Sequence, residues 1–202
     1  MKRRQPLLPR KQPRQERSRQ MREDILQATL RVLQQEGPLK LTTERVADAA
    51  GISVGSLYQY FPNKQALIYA LHTRTIEAAW LEVQRVLDHP RWSARQKIER
   101  VAGYFFRTES EDVSRMGLLL GELEGDFEAQ PEHRALEEKV ARRFRRFVKE
   151  ARPRGDAGFD SELLITVLES VGRSVAARGL GRAALDRRAR ACAKMLADYL
   201  SL

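Results

Sequence analysis

A chain of 202 residues, 42% hydrophobic and 32% charged, has enough apolar material for one large core or two small ones, and no apolar run approaches the ~18 residues needed to span a bilayer. Its one cysteine, Cys192, excludes an internal disulfide framework and fits a reducing cytoplasm, where it serves as a small core residue. The net charge of +10 sits mostly at one end: residues 2–22 carry nine Lys and Arg against Glu16 alone, leaving +2 for the rest.

Residues 1–21 read as a basic arm. Pro6, Pro9, Pro13 and several Gln argue for disorder in solution. The charged start lacks an apolar signal segment, so export is not expected. Such an arm is suited to lie along phosphates or enter a minor groove. From Met21 the pattern turns helical: Ile25, Leu26, Thr29, Leu30 and Leu33 share a face, and Gly37-Pro38 end it.

Residues 41–64 read as two helices folded over a tight turn. Thr42 or Thr43 can cap the first, and Glu44 suits the positive end of its dipole. Val46, Ala47 and Ala50 fall on one face. Gly51 ends the helix, since glycine enters the left-handed region without steric cost. Ile52 plugs the gap, Ser53 caps the second helix from Val54 to about Tyr60, and Leu57 points inward. Pro62 forces a break at Phe61, and Asn63 can cap the next helix. This is the helix-turn-helix pattern, whose second helix enters the DNA major groove. Thr42, Thr43, Ser53, Ser56, Tyr58, Gln59 and Tyr60 are hydrogen-bonding groups suited to phosphates and base edges. Gly55, beside Val54, lets the helix lie close to the duplex. Lys64 at a helix start can grip a phosphate.

These residues resemble the DNA-binding signature of the TetR family of bacterial transcriptional regulators. The shared features are the Thr pair, Val46-Ala47, Ala50-Gly51-Ile52-Ser53, Gly55-x-Leu57-Tyr58-x-Tyr60-Phe61, and Lys64 followed by Leu67. The resemblance covers roughly Arg22–Leu71. Tyr60 stands where His is common in the family, and Gln65 where an acidic residue is common.

Beyond Asn63 the fourth helix extends toward Leu87 with the stripe Ile76, Trp80, Val83 and Leu87, a rigid lever ended by His89-Pro90. Ile98, Val101, Ala102, Phe105 and Phe106 recur at helical spacing, as do Val113, Met116, Leu120, Leu123 and Phe127. Pro131 opens a helix with Leu136, Val140, Phe144 and Phe147 or Val148 inside and Arg142, Arg143, Arg145, Arg146 and Lys149 outside. Leu164, Val167, Leu168, Val171 and Val175 form another stripe, and Leu185, Ala189, Cys192, Leu196 and Tyr199 the last. No alternating run competes. The expected fold is all-α: a three-helix N-terminal helix-turn-helix domain and a larger C-terminal helical bundle, about nine helices in total. The expected divisions are an arm (1–21), a DNA-binding domain (22–71) and a ligand-binding and dimerisation domain (72–202).

An enzyme, a cofactor or a metal site is not expected. His72, His89 and His133 lack ligand-like neighbours at metal spacing. Gly179-Leu-Gly-Arg-Ala-Ala184 matches a loose dinucleotide pattern but follows a helix rather than a strand, so it reads as a turn. The acidic residues from Glu109 to Glu128 read as solvated faces. The TetR resemblance implies a homodimer on a palindromic operator in double-stranded DNA, with the last two helices pairing across subunits. Leu168, Val171, Gly172, Val175, Ala189, Cys192 and Leu196 are the candidates for that pairing. It also implies an unidentified small-molecule effector among the C-terminal helices, with Trp80, Tyr104, Phe105, Met116, Phe127 and Phe144 as candidate lining and no membrane partner. The alternative is a helical small-molecule-binding or enzymatic domain whose hairpin no longer reads DNA.

Overall fold

A computed structural model describes residues 16–121 and 130–202, and every regular element in them is helical. The α-helices are α1 (Glu16–Glu36), α2 (Thr43–Ala50), α3 (Val54–Tyr60), α4 (Lys64–Asp88), α5 (Ala94–Gly121), α6 (Pro131–Ala151), α7 (Ala157–Ala176) and α8 (Arg182–Tyr199). A single 3-10 turn, Pro38–Lys40, joins α1 to α2. Eight α-helices thus stand among the described residues, against an expectation of about nine for the chain. The apolar residues from Ile98 to Phe106 and those from Val113 to Leu120 lie on one continuous helix, which no proline interrupts, while Leu123 and Phe127 lie outside the described residues. Helix α1 begins at Glu16, inside the span read as an arm, with that carboxylate in the first turn where the helix dipole favours negative charge.

The chain divides into two compact units. The first is Met1–Ile76 with Arg115–Gln130; the second is Glu77–Ser114 with Pro131–Leu202. In the first, Ile25, Leu26, Val32 and Leu33 of α1 meet Val46 and Ala47 of α2, Leu57 of α3, Phe61, and Ala66–Leu71 of α4 in one buried cluster. Leu57, Phe61 and Leu67 have no exposed surface, so truncating any of them leaves a cavity at the centre of the hairpin.

The second unit has its own cluster. Trp80, Val83 and Leu87 of α4 pack with Ile98, Val101 and Phe106 of α5, Phe144, Phe147 and Val148 of α6, Leu164, Leu168 and Val175 of α7, and Leu185, Cys192 and Leu196 of α8. Burial pushes the Cys192 thiol upward, as expected for an inert core cysteine. Arg143 does not join the outer basic face of α6; it turns inward and pairs with Asp88 at 2.5 Å. At the start of α7 the buried Asp160 accepts a hydrogen bond from the Tyr199 hydroxyl at 2.9 Å and pairs with Arg152 at 3.2 Å. Gly179, in the turn before α8, takes φ +60, so the glycine pair there is a helix–helix turn.

Candidate nucleic-acid interface

The hairpin is closed by backbone and hydroxyl hydrogen bonds made within a short stretch. Thr42 caps α2, its Oγ1 accepting from the Arg45 N–H at 3.2 Å. At the other end Gly51 adopts φ 68, its N–H reaches the Asp48 carbonyl at 3.0 Å, and the Ile52 N–H reaches Ala47 at 3.0 Å. That pair of bonds is a Schellman closure, and the left-handed residue in it is the reason for glycine. Ser53 then caps α3, accepting from the Ser56 N–H at 3.1 Å. Phe61 leaves the helix with φ −127, and Asn63 caps α4 through the Ala66 N–H at 2.8 Å.

The polar groups singled out in the sequence divide by position. Thr42, Ser53, Gly55, Tyr58 and Gln59 are exposed. The Ser53 and Ser56 hydroxyls are 2.8 Å apart. One donates to the other, which leaves a single O–H free to donate outward. Tyr58 is 39% exposed, and its hydroxyl lies 3.3 Å from Thr43 Oγ1. Thr43 itself is buried at 7%, so it faces Tyr58 rather than solvent. Val54 and Tyr60 are half-buried against the core, which leaves less of each for a partner. Lys64 is half-buried at the first residue of α4. The Glu44 backbone N–H and then the Thr42 hydroxyl hold the Glu44 carboxyl below its ordinary range.

Contacts from α1 brace this face. Arg31 donates to the Ala49 carbonyl at 2.8 Å, and Arg45 of α2 pairs with Glu36. Arg31 and Glu36 are not among the residues that the sequence motifs mark. Their one signal is position, since both are polar residues on α1 beside its apolar face and helical spacing alone does not say which element they meet.

In the second unit the expected groupings change. Leu168, Val175, Ala189, Cys192 and Leu196 belong to the core of their own chain, and Val171 packs against it. Gly172 is buried as well: a β carbon there would come 3.2 Å from the Phe105 ring, so its smallness lets α7 approach α5. The apolar groups left outside on α7 and α8 are Phe159, Met195 and Tyr199, exposed at 58%, 54% and 43%. The candidate ligand residues also separate. Trp80 and Phe144 are core, and Phe105 packs against it. The Met116 side chain and Phe127 lie outside the described residues. Tyr104 lines a cleft of ≈ 380 Å³ with the apolar Val86, Trp92 and Ala189 and the charged Glu82, Arg100, Arg107 and Arg190, a mixed setting. Arg100 stacks on Trp92 at 4.0 Å and Arg107 faces Asp186 at 3.5 Å. Among the described residues no group of His, Cys, Asp and Glu is arranged to hold a metal, and no helix is long and apolar enough to cross a membrane.

Comparison with known proteins bears on both units. Residues 25–71 match the family described as bacterial regulatory proteins, tetR family. The nucleoid occlusion factor SlmA of Vibrio campbellii is 37% identical over 68 residues, which are 33% of this chain and 35% of that protein. That of Haemophilus ducreyi is 39% identical over 57 residues, 28% of each. The match thus spans about a third or less of the length of these curated relatives. Solved structures extend the likeness of fold. A transcriptional regulator of the TetR/AcrR family from Thermobifida fusca aligns with a TM-score of 0.69 at 16% identity, covering 88% of this chain and 96% of that one. A putative TetR-family regulator from Mesorhizobium loti gives 0.69 at 17% identity, covering 92% and 98%. Over residues 25–71 the chain is thus similar to the tetR family of bacterial regulatory proteins, and over most of its length it shares the fold of the TetR-type structures.

Proposed function

We propose that this protein is a cytoplasmic, sequence-specific DNA-binding transcriptional regulator, a homodimer that represses from a palindromic operator and is released when a small molecule binds within residues 72–202. The observation that supports it most is the exposed polar side of α3, presented by a turn that its own capping bonds hold rigid. Thr42, Ser53, Gly55, Ser56, Tyr58, Gln59 and Lys64 are its contact residues, Gln59 at base edges and Tyr58 and Lys64 at phosphates. Phe159, Met195 and Tyr199 give the second copy its apolar landing, in place of the core residues that the sequence nominated.

The direct test is selection from a random duplex library by the purified protein. Enrichment of a two-fold symmetric site is expected, its halves about 34–36 Å apart or a multiple of that; no enrichment would end the proposal. Sedimentation should give a dimer, and Phe159→Arg combined with Met195→Glu should give a monomer that still folds.

The Thr43–Tyr58 contact adds a second prediction. Thr43→Val removes the hydroxyl that steadies Tyr58 and should weaken binding about fivefold, the worth of roughly 1 kcal/mol. In a Tyr58→Phe background the same change should cost nothing further. Additive losses, read by fluorescence anisotropy, would mean that Thr43 acts on its own.

A further inference from the structure

Among the described residues, four arginines of the first unit have partners. Arg31 donates to Ala49, Arg45 pairs with Glu36, Arg74 with Glu23, and Arg19 lies 4.0 Å from Glu16. Arg22 differs. Its Nε is buried and has no hydrogen-bond partner among the described residues. Its guanidinium instead lies over the Phe61 ring, 5.7 Å from the centroid. Phe61 is the residue on which α3 ends, and Lys64, three positions later, opens α4. Arg22 is therefore held at the break between the proposed recognition helix and the next one.

Arg22 is half-buried, and its covered Nε carries a desolvation cost that no hydrogen bond among the described residues offsets. A ring face offsets only part of what desolvating the group costs, and an apolar side chain of similar length would fill the same space more favourably. The arrangement makes sense if an acceptor arrives from outside. The acceptor that suits a planar fork of donors beside a DNA-reading helix is a phosphate, which takes two parallel N–H bonds. We propose that Arg22 is a DNA phosphate clamp: the Phe61 ring fixes the plane of its guanidinium at the end of α3, and the duplex backbone accepts from its terminal N–H groups. This rests on the reading of α3 as a DNA-contacting helix.

The test compares Arg22→Met, Arg22→Gln and Lys64→Met on two duplexes: the one selected by the wild-type protein and a 30-base-pair mixed sequence. Methionine keeps the stacking length and removes the charge. Arg22→Met should weaken binding roughly tenfold on both duplexes alike and make the plot of log affinity against log salt shallower by about one phosphate contact. Its melting temperature should hold or rise, since a partly buried charge has been removed. A purely structural arginine would show the opposite pattern, a lower melting temperature with an unchanged salt slope, and that result overturns the clamp. Should Arg22→Met fail to fold, Arg22→Gln reads the same slope. An unchanged slope at Arg22 with a shallower one for Lys64→Met would reject the clamp while leaving the DNA-binding reading intact. Failure of the wild-type protein to bind either duplex would reject the reading on which it rests.

Discussion

Gly55→Leu is expected to abolish operator binding, by more than about 100-fold, while leaving the protein as stable as before or slightly more so. A β carbon at this position meets only the Ser53 hydroxyl, at 3.8 Å, and the residue is exposed. Nothing inside the chain resists the larger side chain. Glycine is also the weaker helix former, by up to ~1 kcal/mol, so the thermal midpoint should not fall. If α3 lies in a major groove, however, leucine at its second residue stands between the helix backbone and the duplex. A 100-fold loss corresponds to about 2.7 kcal/mol, a modest demand for a side chain with no room. Circular dichroism melting and anisotropy on the selected duplex give the two numbers. Full affinity in the leucine variant would mean that the first turn of α3 never approaches DNA.

Asp160→Ala should be the costliest single change in the second unit outside its apolar core, about 2–3 kcal/mol by urea unfolding. The carboxylate is 3% exposed and accepts from both Tyr199 and Arg152. Removing it strands both donors. Breaking a buried pair costs ~3–5 kcal/mol, but the Arg152 side chain is 39% exposed and can turn to water, which reduces the figure. Gly155→Ala should disturb the same knot, because a β carbon there would fall 2.8 Å from the Asp160 carboxylate. The hydrogen bond to Asp160 also raises the Tyr199 phenol above its ordinary range. A raised folded-state value means stabilisation that is complete below the unfolded tyrosine value, about 10, and that fades as pH climbs through the folded one. Tyr199→Phe should remove that component of the alkaline stability loss. An alkaline profile identical to wild type would show that the bond contributes nothing.

The hairpin was legible in the sequence because its determinants are local. Thr42, Gly51, Ser53, Phe61-Pro62 and Asn63 each act on neighbours within a few residues, so their chemistry can be read without knowing the fold. The surfaces of the second unit were not. Leu168, Ala189, Cys192 and Leu196 have the periodicity of a buried face, but periodicity does not say whether the burying partner is the same chain or a second one. Here it is the same chain, and the outward face is marked by Phe159, Met195 and Tyr199. Met195 and Tyr199 stand four apart on α8; Tyr199 reads as the end of the buried stripe, but it is exposed beside Met195. Thr43 is a similar case. Its hydroxyl reads as a solvent-facing donor until the structure places the Tyr58 hydroxyl beside it. The mixed lining around Tyr104 assembles from three helices far apart in sequence, so no local pattern announces it.

The bonds that fix the bend between α2 and α3 all lie between Thr42 and Phe61. The turn between those two helices is therefore intrinsic to a stretch of twenty residues, and α1 braces it from outside through Arg31 and Glu36. A message arriving from a distance can transport this head or turn it as a block, but it has no hinge there to flex. In the proposed dimer the spacing between two stiff heads on the double helix, rather than the shape of either, is then the quantity that a small effector would have to alter.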